Sequence, residues 1–340
     1  MLRSLLCAIS AVTLSLVLFA SASAQAVEYK KQTVMVATAN PPGGYHALVM
    51  DKFKEVLEKE SGGAITVRAF YSGSMGDEQT NVKQLRTQEL HATVVFTGNL
   101  SPFAPTANLF CLPYLYPEMQ DAYNLFSDQA FMKKTADIIA KESGGRSLGW
   151  LVGGYRFLTN SKHPVKKITD LAGIKIRVSP SAGQLESFRA WDVDPHPMAW
   201  TEVFNALQQK VIDAVEAPYS MIRDQKFWEV TKYISEVHYM MWVGNLLVSE
   251  PWYQKLDPDT KALVDKAALE AERYSWQLNE DLTQPAIEEC TSHGMEISIL
   301  EDEPVWVEKA KARVWPMFYK DFGFEGLAKE AVAIIEKTRK

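Results

Sequence analysis

Thr33-Val34-Met35-Val36-Ala37-Thr38 and, about sixty residues on, His91-Ala92-Thr93-Val94-Val95-Phe96 are two β-branched runs that bracket the segment deciding the fold. After the first run, Asn40-Pro41-Pro42-Gly43-Gly44 makes a turn able to start a helix. Leu48, Val49, Phe53, Val56 and Leu57 then recur at helical spacing, predicting a helix over Tyr45 to Glu60 that Gly62-Gly63 ends. Ala64 to Phe70 reads as a second strand, and the loop Ser72-Gly73-Ser74-Met75-Gly76-Asp77 leads into a second helix running to about Glu89. The order is βαβαβ, whose crossovers demand a mostly parallel sheet with helices on its faces, so the fold class is α/β.

Upstream, Met1 to Ala26 has the composition of an export signal: Arg3, an apolar run from Leu5 to Phe19, and small residues that place cleavage near Ala24 or Ala26. The run is too short to span a membrane comfortably, and Cys7 sits inside it rather than at a cleavage site, which argues against a lipid anchor. Without this segment 35 basic residues face 42 acidic ones, a net charge of −7, and no basic stripe with interleaved aromatics exists, so nothing points to nucleic acid. Cys111 lies in an apolar run and Cys290 in a charged helical segment far away, and two free thiols are expected rather than a disulfide.

Downstream, Asn99, Pro102, Phe103, Pro105 and Leu112-Pro113-Tyr114 form an irregular apolar stretch able to border a cleft. A helix is predicted over about Glu118 to Glu142, and Ser147 to Leu151 resumes the sheet. Gly153-Gly154-Tyr155-Arg156-Phe157 looks like a crossing point, after which a second α/β pattern starts. It comprises a strand at Phe157, a strand over Ile174 to Val178, helices over Ala182 to Ala190 and Thr201 to Gln209 with Thr201 as N-cap, and a strand over Asp213 to Glu216. Strand signals return at Val237 to Tyr239 and Leu246 to Val248. Lys261 to about Leu282 lacks Pro and Gly, predicting a helix of roughly 25 residues and about 35 Å, longer than one domain needs. The chain closes with a strand over Met295 to Leu300 and two helices.

Signatures of catalysis are missing. There is no G-x-S-x-G, H-E-x-x-H, C-x-x-C, Walker A or G-x-G-x-x-G, and the six histidines have no metal-ligand spacing. The chain does offer Arg177, inside the apolar run of Asp170-Leu-Ala-Gly-Ile-Lys-Ile-Arg-Val178, and Arg156 just after the crossing point. Alternation puts Ile174, Ile176 and Val178 on one face and Arg177 on the other, where it can line a groove; a surface ion pair is the simpler reading of that arginine alone. Both arginines suit bidentate recognition of an anion. Trp200, Trp242, Asn245, Phe96 and Asn99 lie near the expected cleft, and aromatic walls with a few placed polar groups are what small-molecule pockets use.

Four ordered segments carry a family resemblance: Asp170 to Val178, Pro197-Met-Ala-Trp-Thr-Glu-Val-Phe-Asn-Ala-Leu-Gln-Gln209, Val211-Ile-Asp-Ala-Val-Glu-Ala-Pro218 and Lys226-Phe-Trp-Glu-Val-Thr-Lys-Tyr233. With Ser72 to Asp77 and Leu112-Pro-Tyr-Leu115, the chain resembles the solute-binding subunit of tripartite ATP-independent periplasmic (TRAP) transporters, the DctP type. That resemblance implies a two-lobed periplasmic binding protein with mixed sheets, hinge strands and a long helix spanning both lobes. It divides the chain into residues 27–153 with 242–281 and residues 154–241 with 282–340. It implies capture of an organic anion for a membrane permease, a monomer, and no cofactor of its own. Arg177 falls on the family's principal carboxylate-binding arginine, Arg156 on a second, and Trp200 on an aromatic against the ligand; in a minority variant Glu216 helps hold a bridging cation. Ala217 replaces a common asparagine and Phe96 an acidic residue, which favours a small or aromatic carboxylate over a polyhydroxylated ligand of the sialic-acid sort. An exported enzyme using Glu216 or Glu202 as base is the competing reading, although Glu202 in a first helical turn also complements the helix dipole.

Overall fold

The fold is that of a computed structural model describing residues 28–338, so the export signal with Cys7 lies outside the described residues. In chain order it contains β1 (Gln32–Ala37), α1 (Tyr45–Glu60), β2 (Ile65–Phe70), α2 (Glu78–Thr87), β3 (Ala92–Phe96), the single-turn α3 (Thr97–Leu100), α4 (Met119–Ser127), α5 (Gln129–Ser143) and β4 (Gly145–Tyr155). After the crossing come β5 (Phe157–Asn160), β6 (Ile176–Val178), α6 (Ala182–Ala190), β7 (Pro195–Pro197), α7 (Val203–Gln208), β8 (Ala214–Ala217), α8 (Tyr219–Asp224) and β9 (Tyr233–Glu236). The chain then returns through β10 (Met241–Ser249) to α9 (Glu250–Lys255), α10 (Pro258–Ser292), β11 (Glu296–Ile299), α11 (Glu303–Phe322) and α12 (Glu325–Thr338).

Two mixed sheets result, ordered β2-β1-β3-β10-β4 and β11-β9-β5-β8-β6-β7, so β4 leaves the first sheet and β10 re-enters it. In the first sheet β1 pairs parallel with β2 and β3, while β10 runs antiparallel to β3 and β4. In the second, β5 is antiparallel to β8 and β9, and β6 is parallel to β7 and β8. The crossing strands hold one another where Arg156 N–H donates to the Met240 carbonyl at 3.0 Å.

Local chemistry explains where the predicted elements moved. The helix expected over 118–142 is two helices, because Asp128 takes extended backbone and its carboxylate caps the Phe131 amide at 3.0 Å. The 201–209 helix begins as a 3-10 turn at Trp200, and Thr201 makes no cap. The expected strand at 237–239 lies earlier, at β9, and β7 was not expected, since two prolines in three residues suit only a sheet margin, which is where β7 sits. Part of the stretch after Asn99 is a 3-10 helix, Pro105–Cys111. Cys111 and Cys290 are both buried free thiols, pushed up to about 12 by burial.

The long helix is longer than predicted, 35 residues, and runs through Pro285 to Ser292. Asp257 starts it by accepting from the Thr260 amide at 3.0 Å. Its first half packs on α1 and β4 and its later part on α8, so it joins the layers around both sheets. The last helix packs back on α4, with Ala328, Ala331 and Ile335 in one apolar cluster with Leu125 and Phe126.

Because β4 has a strand neighbour on one side only, α10 and the start of α1 satisfy its open edge. Glu272 accepts the Trp150 amide at 2.7 Å, the Trp276 indole donates to the Trp150 carbonyl at 2.8 Å, and the Tyr45 hydroxyl donates to the Val152 carbonyl at 2.8 Å. Burial pushes the Glu272 carboxyl from 4.5 up to about 7. A raised folded-state value means that its stabilisation is complete below pH 4.5 and is lost as pH rises through about 7. The shift corresponds to about 3 kcal/mol. Glu272→Gln keeps an acceptor for Trp150, so at pH 8 the variant should be more stable than wild type by up to about 3 kcal/mol, with the difference vanishing toward pH 4.5. Urea unfolding across pH checks this; parallel pH profiles for the two proteins would refute it.

Candidate functional site

Ten side chains meet between the two sheets: His46, Glu78, Phe96, Asn99, Arg156, Arg177, Ser179, Trp200, Met221 and Trp242. They come from the starts of α1 and α2, the end of β3 and α3, the crossing strands, β6, the turn before α7, and α8. Glu78 is placed by Gly76, whose φ of +101° suits glycine and where a Cβ would lie 2.6 Å from Thr80 Cγ2. Asp77 then caps the Thr80 amide at 2.8 Å and starts α2. Trp242 lies against the backbone of its own strand, where a Cβ on Gly244 would stand 2.1 Å from its ring.

Arg177 is 1% exposed, and its Nε and Nη2 donate to the Met198 carbonyl at 3.0 and 2.5 Å. Among the described residues its Nη1 has no hydrogen-bond partner, and its guanidinium stands 5.6 Å from the Trp200 ring. Its hydrogen-bond partner among them is the neutral Met198 carbonyl, so the buried charge has no carboxylate in direct contact. Burial, then the Arg156 charge, bring it down to about 10, still protonated at neutral pH.

Arg156 is equally buried but fully engaged. Its Nε contacts Glu216 Oε2, and its Nη2 donates to Glu216 Oε1 at 3.0 Å and to the Glu216 carbonyl at 2.8 Å. Its guanidinium lies 4.5 Å over the Phe96 ring. Burial pulls the Arg156 guanidinium down and the Glu216 charge more than restores it, while burial raises Glu216 against the opposing pull of Arg156. Gln184 donates to Glu216 Oε1 at 2.6 Å, so this carboxylate lies behind Arg156 and outside the cavity wall.

On the opposite wall Glu78 Oε2 accepts the Phe96 amide at 2.9 Å and Asn99 Nδ2 at 2.7 Å. His46 Nδ1 lies 3.8 Å from Glu78 Oε1, and the imidazole is neutral, lowered to about 3 first by burial and then by Arg156. Among the described residues neither His46 nitrogen has a hydrogen-bond partner, nor do Asn99 Oδ1 and Trp200 Nε1. Four of the ten lining side chains thus hold unsatisfied polar atoms, which buried polar groups rarely do unless something else meets them. Phe96, Trp242, Trp200 and Met221 supply the apolar surface between. The space left is about 10 Å³, room for about one water, so an organic ligand requires these walls to part.

Sequence reasoning therefore brought six residues to one cavity: Arg177, Arg156, Trp200, Phe96, Asn99 and Trp242. Asn245 is not among the lining residues. It accepts from Ser147 at 2.6 Å and donates to Thr97 at 2.8 Å, tying β10 to β4 and α3. His46, Glu78, Ser179 and Met221 were missed: the histidine has no motif around it, and a glutamate in a helix's first turn reads as dipole complement.

The sequence pattern of the bacterial extracellular solute-binding proteins of family 7, DctP, matches residues 35–321. The chain belongs to this family. As a DctP-type solute-binding subunit of TRAP transporters it has the two-lobed fold of its relatives. A TRAP periplasmic solute-binding protein from Rhodobacter sphaeroides, described as apo and open, is 37% identical, with a TM-score of 0.75 over 90% of this chain and 99% of its own. The sugar acid binding protein of Advenella mimigardefordensis in complex with galactonate is 25% identical, with a TM-score of 0.84 over 91% of this chain and 99% of its own. The 2,3-diketo-L-gulonate-binding periplasmic protein of Escherichia coli is 26% identical over 270 residues, 79% of this chain and 82% of its own.

Proposed function

We propose that this DctP protein captures a small hydroxylated carboxylate between its lobes and releases it to a TRAP permease. The observation carrying this reading is the buried Arg177 guanidinium, with no carboxylate in direct contact and its Nη1 free among the described residues, in a cavity that also holds the unsatisfied atoms of His46, Asn99 and Trp200. In this role Arg177 pairs with the carboxylate, and Arg156 adds positive potential while Glu216 fixes it in place. His46, Asn99 and the Trp200 indole give a donor-and-acceptor set for hydroxyl or carbonyl groups, and Phe96, Met221 and Trp242 limit the ligand's girth. The relatives that bind galactonate and 2,3-diketo-L-gulonate support a hydroxylated acid. They and the polar wall revise the less polar ligand that Phe96 and Ala217 had suggested.

Closure of two lobes excludes water from the arginine pair, strengthening it, and hinge motion is the common device. The better overlap with the galactonate complex than with the open relative, despite lower identity, supports a closed arrangement here. The lobes we assign are residues 27–153 with 242–281 and residues 154–241 with 282–340, in a monomer that is exported, cleaved near Ala24 or Ala26, and does not bind nucleic acid. The protein returns its ligand unchanged. Glu216, the base an enzyme would need, is held by Arg156 and Gln184, and Glu202 does not line the cavity; the same engagement of Glu216 opposes a bridging cation.

A thermal-shift screen tests this reading. Hydroxylated carboxylates such as aldonates and glycerate should raise the melting temperature, a ligand at 100 times its Kd adding about 2.7 kcal/mol by mass action. A shift confined to aromatic acids without hydroxyls would overturn the polar half of the assignment, and no shift with any acid would overturn it all.

A further inference from the structure

We propose that binding an anion in this cavity is coupled to the uptake of one proton by Glu78. The inference rests on the ligand reading above and goes further, to the ionic balance of the closed site. Four formal charges stand in it. Arg156 and Glu216 neutralise each other through a bidentate contact. The other two are Arg177, whose guanidinium touches only a neutral carbonyl, and Glu78, whose oxygens meet an amide N–H, an asparagine N–H and a neutral imidazole. Among the described residues neither has an ion-pair partner of its own, so the cavity balances because they act on each other across it; each charge favours the other's ionised form.

A ligand carboxylate that pairs with Arg177 ends that balance. Glu78, 4% exposed, is then an uncompensated buried anion facing a second anion, the arrangement in which one carboxyl takes a proton. The groups facing Glu78 leave little other compensation: α1 offers neutral His46, β3 and α3 the Phe96 amide and Asn99, the crossing strand Arg156, whose charge reaches Glu78 but is answered by its contact with Glu216, and β6 Arg177 now spent on the ligand. Burial has already raised the Glu78 carboxyl above its ordinary value. Oε2 is occupied by its two donors, so the proton goes to Oε1, on the His46 side. The step moves one proton from solvent to Oε1 and forms no other bond. It turns Glu78 from an acceptor into a donor, which selects ligands presenting an oxygen acceptor to that wall.

Calorimetric titration of the full mature protein tests this, with the tightest binder among D-galactonate, D-erythronate and pantoate, in two buffers of different ionisation enthalpy at one pH. The observed heat should differ between buffers by about one proton's worth, and Kd should rise about tenfold per pH unit at alkaline pH. Glu78→Gln should bind with heat independent of buffer and a flat pH profile. Binding by wild type with buffer-independent heat would overturn the inference alone, as would uptake that persists in Glu78→Gln or binding that requires sodium without proton uptake. No binding of any of the three acids would overturn the functional reading and this inference with it. The wild-type two-buffer comparison decides the matter even if the variant fails to fold.

Discussion

Arg177→Met should weaken ligand binding by about 3–5 kcal/mol, the cost of leaving one member of a buried charge pair alone. On the affinity scale that is on the order of a hundredfold to a few thousandfold. Methionine keeps much of the apolar length of the side chain, so the change removes the charge and the fork of donors more than it removes volume. The same substitution should cost the ligand-free protein far less stability than it costs binding, because Glu78, no longer facing Arg177, can take up a proton. Among the described residues no carboxylate contacts Arg177 directly, and burial already disfavours its charge, so its removal relieves a desolvation cost that offsets the lost attraction to Glu78. Lost affinity together with largely retained stability separates a ligand-binding arginine from a structural one. Isothermal titration and urea unfolding read the two quantities, and near-normal affinity in the variant would remove Arg177 from the site.

That separation was only half legible in the sequence. The βαβαβ opening was readable because its signals are local: the stripe Val49, Phe53, Val56, Leu57 fixes a helical face, and α1 runs over the residues that stripe marks. Arg177 was legible as a cavity residue only once Arg156 and the ordered family motifs stood beside it, since alone in its β-branched run it reads more simply as a surface ion pair. Arg156 was legible as a position but not in its partnership, since Glu216 is sixty residues away and meets it only once β8 pairs with β5. Asn245 shows the converse. A polar residue near Trp242, beside the expected cleft, suggested a ligand contact, yet its amide serves Ser147 and Thr97, a need set by how β10 lies between its neighbours. Glu78 and His46 carried no signal, because burial and unsatisfied atoms are properties of the assembled cavity. The long helix outran its expected end near Leu282 for the same kind of reason, tertiary packing of α10 around both sheets outweighing the hydrogen bond lost at Pro285.

The Arg156 and Glu216 pair should show the opposite pattern to Arg177. Arg156→Met leaves Glu216 buried without its cation, with Gln184 still donating to it, and Glu216→Leu leaves Arg156 uncompensated beside Arg177. Each single change should cost about 3–5 kcal/mol of stability, whereas the double variant, with two apolar side chains of similar size, should recover most of that loss. The pair bridges the crossing strand to β8, just where the Arg156 amide also holds the returning strand through the Met240 carbonyl, so it stiffens the second sheet's side of the hinge. Urea unfolding of the three variants gives the coupling energy as a double-mutant cycle. A double variant as unstable as either single would mean that the two residues act independently, and Arg156 would then have to be assigned a direct share of the ligand's charge instead of the role of a fixed positive wall beside Arg177.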